Sequence, residues 1–205
     1  MLSTKKKTNK LLIATGNAHK VGEIKQILAD YHIEWINLAD FPNIKEAEET
    51  GADYKTNALI KARCYSEQTN CRCIADDSGL EIDALDGAPG LFSNRFGGGL
   101  DQKGKIAMVL DLLKDVPEAK RTARFRCTAV AYGIEQEPIF AEAVCEGRIA
   151  FAPAGCGGFG YDPIFFVPDK NCCIAELPAN EKNLISHRGQ AMRMLAEKIG
   201  LERKA

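Results

Sequence analysis

The sequence predicts an α/β protein with a mixed sheet and flanking helices. Three observations carry that prediction. Short apolar runs such as Leu11-Leu12-Ile13-Ala14 pass directly into segments of helical spacing. Residues 124–132 alternate Phe125, Cys127, Ala129 and Ala131 against Arg126, Thr128 and Val130, which is the period of a strand. Glycine clusters fall where strands end, so loops gather there. A chain of 205 residues suits one domain spanning 1–205 and buries a substantial core.

In order, Leu11–Thr15 reads as a buried strand, and "TGN" turns it into a helix carrying Val21, Ile24, Ile27 and Leu28 on one face. Residues 33–38 read as a second strand, and 40–53 as an acidic loop centred on "EAEETGAD". A helix from Asp53 to Glu67 places Tyr54, Ala58, Ala62 and Tyr65 together. The stretch "IADDSGLEIDALDGAPG", residues 74–90, reads as strand, Ser-Gly turn, strand. "GAPGLFSNRFGGG" reads as a loop too irregular for the core, followed by a helix at Ile106–Leu113 that Pro117 ends. Residues 138–146 look able to pair with 124–132. "GCGGFGYDPIFFVP" is a glycine loop feeding a strand that Pro168 stops, and Ser186 caps a last helix with Met192, Leu195 and Ile199 inward.

Charge and composition exclude several classes. The net charge of −1 argues against a polyanion-coating protein. Lysines at 5, 6, 7 and 10 read as a disordered, solvated basic tail over residues 1–9, not a nucleic-acid arm. No apolar run approaches the roughly 20 residues of a membrane span, and residues 4–10 lack a signal-peptide core. The eight cysteines do not fall at zinc spacing, and together with the missing export signal they are expected to be reduced thiols of a cytoplasmic protein.

Four groups of residues could carry chemistry. "TGNAHK", residues 15–20, sits at a strand-to-helix turn, where backbone N–H groups and the helix dipole favour anions. Thr15 and Asn17 add hydrogen bonds and Lys20 a charge; the plainer alternative is a helix cap. It is not the GxxxxGK[ST] loop. His19 and His32 read as surface residues. Glu48, Glu49, Asp76 and Asp77 form a set of hard oxygen ligands suited to Mg²⁺ or Mn²⁺ shared with substrate phosphates, and one carboxylate could serve as general base. A solvated loop and an Asx turn are the plain alternatives. Two adjacent carboxylates at a strand end call for a positive partner, since burying either unpaired is costly, and the first candidate is a metal ion. "GCGGFG", Gly155–Gly160, matches G-x-G-x-x-G in letters, but a strand follows it instead of a helix, which excludes a dinucleotide fingerprint. The loop instead presents Phe159 for stacking on a base, or buries it in the core, beside Asp162. Lys182, His187 and Arg188 in "EKNLISHRGQAM" form a donor cluster or a solvated face. An anion cradle, hard-metal ligands, a stacking ring and a donor cluster together fit a nucleoside triphosphate.

The motifs "IATGNAHKVGEIKQIL", "EETG", "NALIKA", "IADDSGLEIDALDGAPG", "GGFGYDPIFFVP" and "ISHRGQAM" occur in this order. On them the chain closely resembles, over roughly residues 11–199, the Ham1-like inosine/xanthosine triphosphate pyrophosphatases, house-cleaning enzymes for noncanonical purine nucleotides. The resemblance implies an elongated mixed sheet with flanking helices, two lobes around a central cleft, a homodimer and Mg²⁺ dependence. It implies hydrolysis of ITP, dITP or XTP to the monophosphate and pyrophosphate. It carries the phosphate loop onto Thr15, Gly16, Asn17 and Lys20, with Ala18 and His19 in the same turn. Metal ligation falls on Glu48 and Asp77, with Asp76 nearby, and the proton acceptor on Asp77. Ser78 and Lys61 become substrate and phosphate contacts. The base side falls on Phe159, Gly160, Tyr161 and Asp162, then Lys182, His187 and Arg188. Arg188 or His187 could donate to O6 of hypoxanthine or xanthine while Asp162 or a backbone carbonyl takes N1–H.

Two departures stand out. Many bacterial relatives read "ENA" where this chain has Thr56-Asn57-Ala58, and many carry tyrosine at Phe92 and Phe96. The rival readings are a pyrophosphatase for modified pyrimidine nucleotides and a non-catalytic nucleotide- or RNA-binding module; no basic stripe with interleaved aromatics supports the latter.

Overall fold

A computed structural model describes residues 10–204; the expected basic tail lies outside them. The strands are β1 (Lys10–Ile13), β2 (Glu34–Asn37), β3 (Cys73–Ile82), β4 (Thr122–Tyr132), β5 (Ile139–Ile149), β6 (Phe165–Val167) and β7 (Cys172–Cys173). The helices are α1 (Ala18–Ile27), α2 (Tyr54–Thr69), α3 (Gln102–Leu112), α4 (Ala179–Ile185) and α5 (His187–Lys198). The described strands form one open sheet in the order β2-β1-β3-β4-β5-β6-β7. β1 lies parallel to both neighbours, and every pairing from β3 onward is antiparallel. The sheet is therefore mixed, as the sequence predicts.

The two sheet faces follow from the strand period. On one face stand Ile74, Asp76, Ser78, Leu80 and Ile82 of β3, opposite Ala131, Ala129, Cys127, Phe125 and Ala123 of β4. Two clusters cover this face. One joins Leu11, Ile13, Ile24, Ile27, Ile74 and Cys127 to Met192 and Leu195 of α5. The other joins Leu80, Ile82, Phe125 and Val109 of α3 to Tyr161, Ile164 and Phe165. Asp76 and Ser78 lie at the seam between them. The opposite face carries Cys73, Ala75, Asp77, Gly79 and Glu81, and α2 covers its first half with Ala58, Ala62 and Tyr65.

Several elements depart from the sequence reading. β3 does not turn at Ser78-Gly79; it runs unbroken and pairs Ser78 with Cys127 and Gly79 with Arg126. Ten successive cross-strand pairs outweigh the local turn preference of Ser-Gly. Gly79 is required there for close approach, because an added Cβ would lie 2.2 Å from the Gly90 carbonyl oxygen. The loop after β3 is less peripheral than expected: Ser93 Oγ accepts the Leu80 amide at 2.8 Å, and Phe96 packs on the second cluster. Helix α4 and strand β7 were not anticipated; both are too short to show a period. All eight cysteines are free thiols. Among the described residues no helix is long and apolar enough to cross a membrane.

Arg121 fastens the end of this frame. Its side chain is fully buried and donates to Leu113 O, Ile149 O and Ala150 O at 2.6, 2.8 and 2.9 Å. It ties the end of α3 to the ends of β4 and β5. Arg121→Met is expected to strand two buried carbonyls and one partly buried one and cost on the order of 3 kcal/mol, read as a lower urea midpoint with an unchanged m-value. An unchanged midpoint would show that the clamp contributes nothing.

Candidate active site

β1 is shorter than its neighbour, and that difference opens the site. Its register with β3 covers only Leu12↔Cys73 and Ile13↔Ile74. From Asp76 onward the edge of β3 has no strand beside it, and the chain turns there through Thr15 and Gly16 into α1. Asn17 caps α1, accepting from the amides of His19 and Lys20 at 2.9 and 3.2 Å, while its own amide donates to Thr15 Oγ1. Around Gly16 an added Cβ would meet nothing within 4 Å, so the turn faces open space. Ala18 begins the helix. The turn that caps α1 therefore also faces the open space that an anion at a helix start would need.

Asp76 and Asp77 are neighbours in sequence but project to opposite faces of β3. This alternation separates their side chains, and each has its own cation. Asp76 Oδ2 accepts from Lys20 Nζ at 2.9 Å and from Arg188 Nε at 3.3 Å. Asp77 Oδ1 accepts from Lys61 Nζ at 2.8 Å, and Lys61 also pairs with Glu49 at 3.0 Å. The positive charge that the adjacent carboxylates demand is therefore supplied in the protein by lysine and arginine.

Their environments push the two acids apart. Burial raises Asp76, but Lys20, Arg188 and Lys61 outweigh it and hold its carboxyl far below the usual carboxylate range. Burial also raises Asp77, and here Lys61 and Lys20 do not overcome it, so Asp77 stands above 3.8. Neighbouring carboxylates shifted in opposite directions are a common arrangement of a permanent charge beside a proton acceptor.

On the Asp76 face a buried ionic chain continues across the cleft. Arg188 also donates to Glu23 Oε2 at 2.6 Å and Ser78 Oγ at 2.8 Å. Glu23 pairs in turn with Lys182 at 2.5 Å, and Lys182 with Asp162 at 2.5 Å. Asp162 Oδ2 accepts the Phe159 amide at 2.9 Å, which ties the glycine loop to the chain. Lys182, His187 and Arg188 are buried, which rules out the solvated face. His187 stacks on Phe125 at 4.7 Å, its Nδ1 has no partner, and burial beside Arg188 holds its pKa well below 6.5. Tyr161 is buried and donates to Ser93 O at 3.1 Å, and Gly160 takes φ +64, which favours glycine. Phe159 is half-buried. Its ring lies 5.0 Å from Lys182 Nζ and 5.4 Å from Arg188 Cζ, with the His19 ring stacked at 5.2 Å.

Glu23 is the residue that sequence reasoning missed. It lies on α1 three positions after Lys20, so helical spacing puts it on the cleft side. Its partner Arg188 is 165 residues away, beyond any local pattern. The acidic loop is also more ordered than expected. α2 holds it through Gln68 on Lys45, Tyr65 on the Ala47 amide and Asn57 on the Gly51 amide. This brings Glu49 to Lys61, whereas Glu48 is exposed and makes no ion pair among the described residues.

The donor set bears on a divalent cation. Asp76 Oδ1 is a buried acceptor with no partner, and Asp77 and Glu49 converge on one lysine. Among the described residues no group of three or more His, Cys, Asp or Glu could enclose a metal by itself. One or two carboxylates fit Mg²⁺, which completes its shell with water and substrate phosphate oxygens. The residues fit an ion shared with a phosphorylated substrate, not a closed protein cage.

The chain is similar to known proteins over most of its length. The model of the Ham1 family matches residues 11–198. A dITP/XTP pyrophosphatase of Bacillus cereus is 46% identical over 192 residues, covering 92% of this chain and 94% of that protein. One of Shigella flexneri is 44% identical over 194 residues, covering 93% and 98%. The solved HAM1 protein of Coxiella burnetii superposes with a TM-score of 0.83 at 40% identity, covering 93% of this chain and 98% of that one. The Staphylococcus aureus Ham1 protein gives 0.81 at 34% identity, with the same coverage.

Proposed function

The chain belongs to the Ham1 family, and on that premise we propose that it hydrolyses noncanonical purine nucleoside triphosphates, ITP, dITP and XTP, to the monophosphate and pyrophosphate. The observation that carries this reading is the buried ionic chain from Asp162 through Lys182, Glu23 and Arg188 to Asp76 and Lys20. It joins a loop bearing a half-exposed aromatic ring to an open anion-binding turn, as a nucleotide spanning the cleft requires.

The chain's own residues divide the work. Thr15, Gly16, Asn17, Ala18 and Lys20 receive the phosphates, and Lys61 meets them from the other face of β3. Lys20 and Lys61 each hold a carboxylate in the free protein and can share their charge with the substrate. Asp77, raised by burial, takes the proton of the attacking water. Asp76, held ionised, keeps Lys20 and Arg188 in place. Ser78 orients Arg188. Asp77, with Glu48 or Glu49 from the loop on the same side of β3, would hold Mg²⁺, for which Mn²⁺ could substitute, while Asp76 on the other face supplies nearby negative charge; when bound, the ion offsets charge on the leaving pyrophosphate. Phe159 stacks on the base, while Gly160, Tyr161, Asp162, Lys182 and His187 shape its pocket. A 6-oxopurine presents an acceptor and a donor where adenine presents the reverse, and buried groups left unpaired by the wrong base reject it by up to about 10⁴-fold.

The same reading has the enzyme acting as one catalytic unit in the cytoplasm, as a homodimer that needs no nucleic acid or membrane. A panel of dITP, ITP, XTP, ATP, GTP, dUTP and a methylated pyrimidine triphosphate with Mg²⁺ tests it, scoring pyrophosphate against inorganic phosphate. Pyrophosphate release favouring the first three by at least about 100-fold over ATP is expected, with EDTA stopping it. Equal kcat/KM for ITP and ATP, or preference for a pyrimidine, would overturn the reading.

A further inference from the structure

We propose that His19 is the second aromatic plate of the base slot, so that the purine is held between His19 and Phe159; this rests on the nucleotide reading above. The two rings face each other across the cleft with centroids 5.2 Å apart and planes inclined by 13°. They come from different packing units. His19 stands on the first turn of α1, which Ile24, Ile27 and Leu28 anchor in one cluster. Phe159 stands on the loop beside Tyr161 and Ile164, which belong to the other.

The ties on each ring fit such a role. The His19 amide is fixed by Asn17 Oδ1 at 2.9 Å, so the backbone is positioned while the side chain projects outward. Among the described residues the imidazole stacks on Phe159 and makes no side-chain hydrogen bond or ion pair. Gly158 and Gly160 flank Phe159 with φ of +67 and +64, backbone conformations that glycine adopts without strain. A flat ring occupies about 3.4 Å of thickness, so seating a purine between the plates requires them to part by about that distance while staying parallel. Lys182 Nζ and Arg188 Cζ lie over the Phe159 ring at 5.0 and 5.4 Å, so cation–π contact helps fix the orientation of that plate. His19 therefore acts on the base, although it sits inside the turn assigned to phosphate.

A base-specific readout tests this. His19→Ala is expected to raise KM for dITP by on the order of tenfold, the loss of one stacking face, with kcat nearly unchanged. It should weaken IMP binding in calorimetry by a similar factor. Binding of inorganic tripolyphosphate, which has no base, should not change. His19→Phe should restore dITP affinity, because a second flat ring suffices. Three results would overturn the inference: an unchanged KM in the alanine variant, a lowered KM showing that His19 merely plugs the slot, or an equal loss of tripolyphosphate binding showing a phosphate role. Should the native protein bind neither IMP nor dITP, the nucleotide reading fails first and the slot fails with it; native dITP hydrolysis with an indifferent His19 removes the plate alone.

Discussion

Asp77→Asn is expected to lower kcat for dITP by about 10²- to 10⁴-fold while leaving equilibrium binding of the nucleotide nearly intact. The amide keeps the size of the carboxylate and can still meet Lys61, but it cannot accept a proton. The pH profile carries the same signature. Activity needs the ionised form, so kcat/KM falls as pH drops through the folded-state pKa of Asp77. Burial places that pKa above the ordinary 3.8, so the acid limb should lie above it too. Asp76 stays ionised throughout that window, because its pKa is shifted the other way, and adds no limb of its own. Single-turnover rates across pH, beside calorimetric binding, check both halves. A variant that turns over normally removes Asp77 from the chemistry.

Arg188→Met should be the most destabilising change in the cleft. Three nitrogens of Arg188 donate to three different acceptors, Asp76, Glu23 and Ser78. Removing the guanidinium leaves the buried Asp76 and the partly buried Glu23 short of a partner, and breaking a buried pair from one side costs about 3–5 kcal/mol. In a chain of this size that corresponds to a melting temperature lower by roughly 10 °C. Arg188→Lys should recover little, since one ammonium cannot reach three acceptors in three directions. The double variant with Asp76→Asn should lose less than the sum of the singles, because the stranded charge is then gone. A native-like melting curve for Arg188→Met would contradict the proposed network. These commitments also bear on base selection. The sequence offered Arg188 as a donor to the base, whereas the folded protein engages these nitrogens internally, so its influence on selectivity passes through the groups it holds.

Much of the fold was readable residue by residue. Ser186 reads as a cap and Asn17 as either a cap or an anion ligand, and both accept backbone amides at the starts of their helices. The alternation at 124–132 gave β4 its two faces, because a strand cannot bury Cys127 and Ala129 without turning Arg126 and Thr128 the other way. Misreadings arose where distant pairing outweighed local preference. Ser78-Gly79 looks like a turn to any local rule, yet ten cross-strand pairs with β4 keep it extended. Glu23 carries no local signal, because its partners Lys182 and Arg188 stand on distant elements.

The sequence by itself determined which side chains stand where along each strand and helix: the cradle at 15–20, the paired aspartates, the aromatic on its glycine loop and the donors near 182–188. Periodicity and capping are local, so neighbours along the chain suffice to specify them. Only the tertiary structure decided that Asp76 and Asp77 face opposite ways toward separate cations. It alone linked Glu23, Lys182 and Arg188 into one buried chain and brought His19 against Phe159. Those relations join segments far apart in sequence, and charge pairing and burial between such segments exist only once the sheet has brought them together.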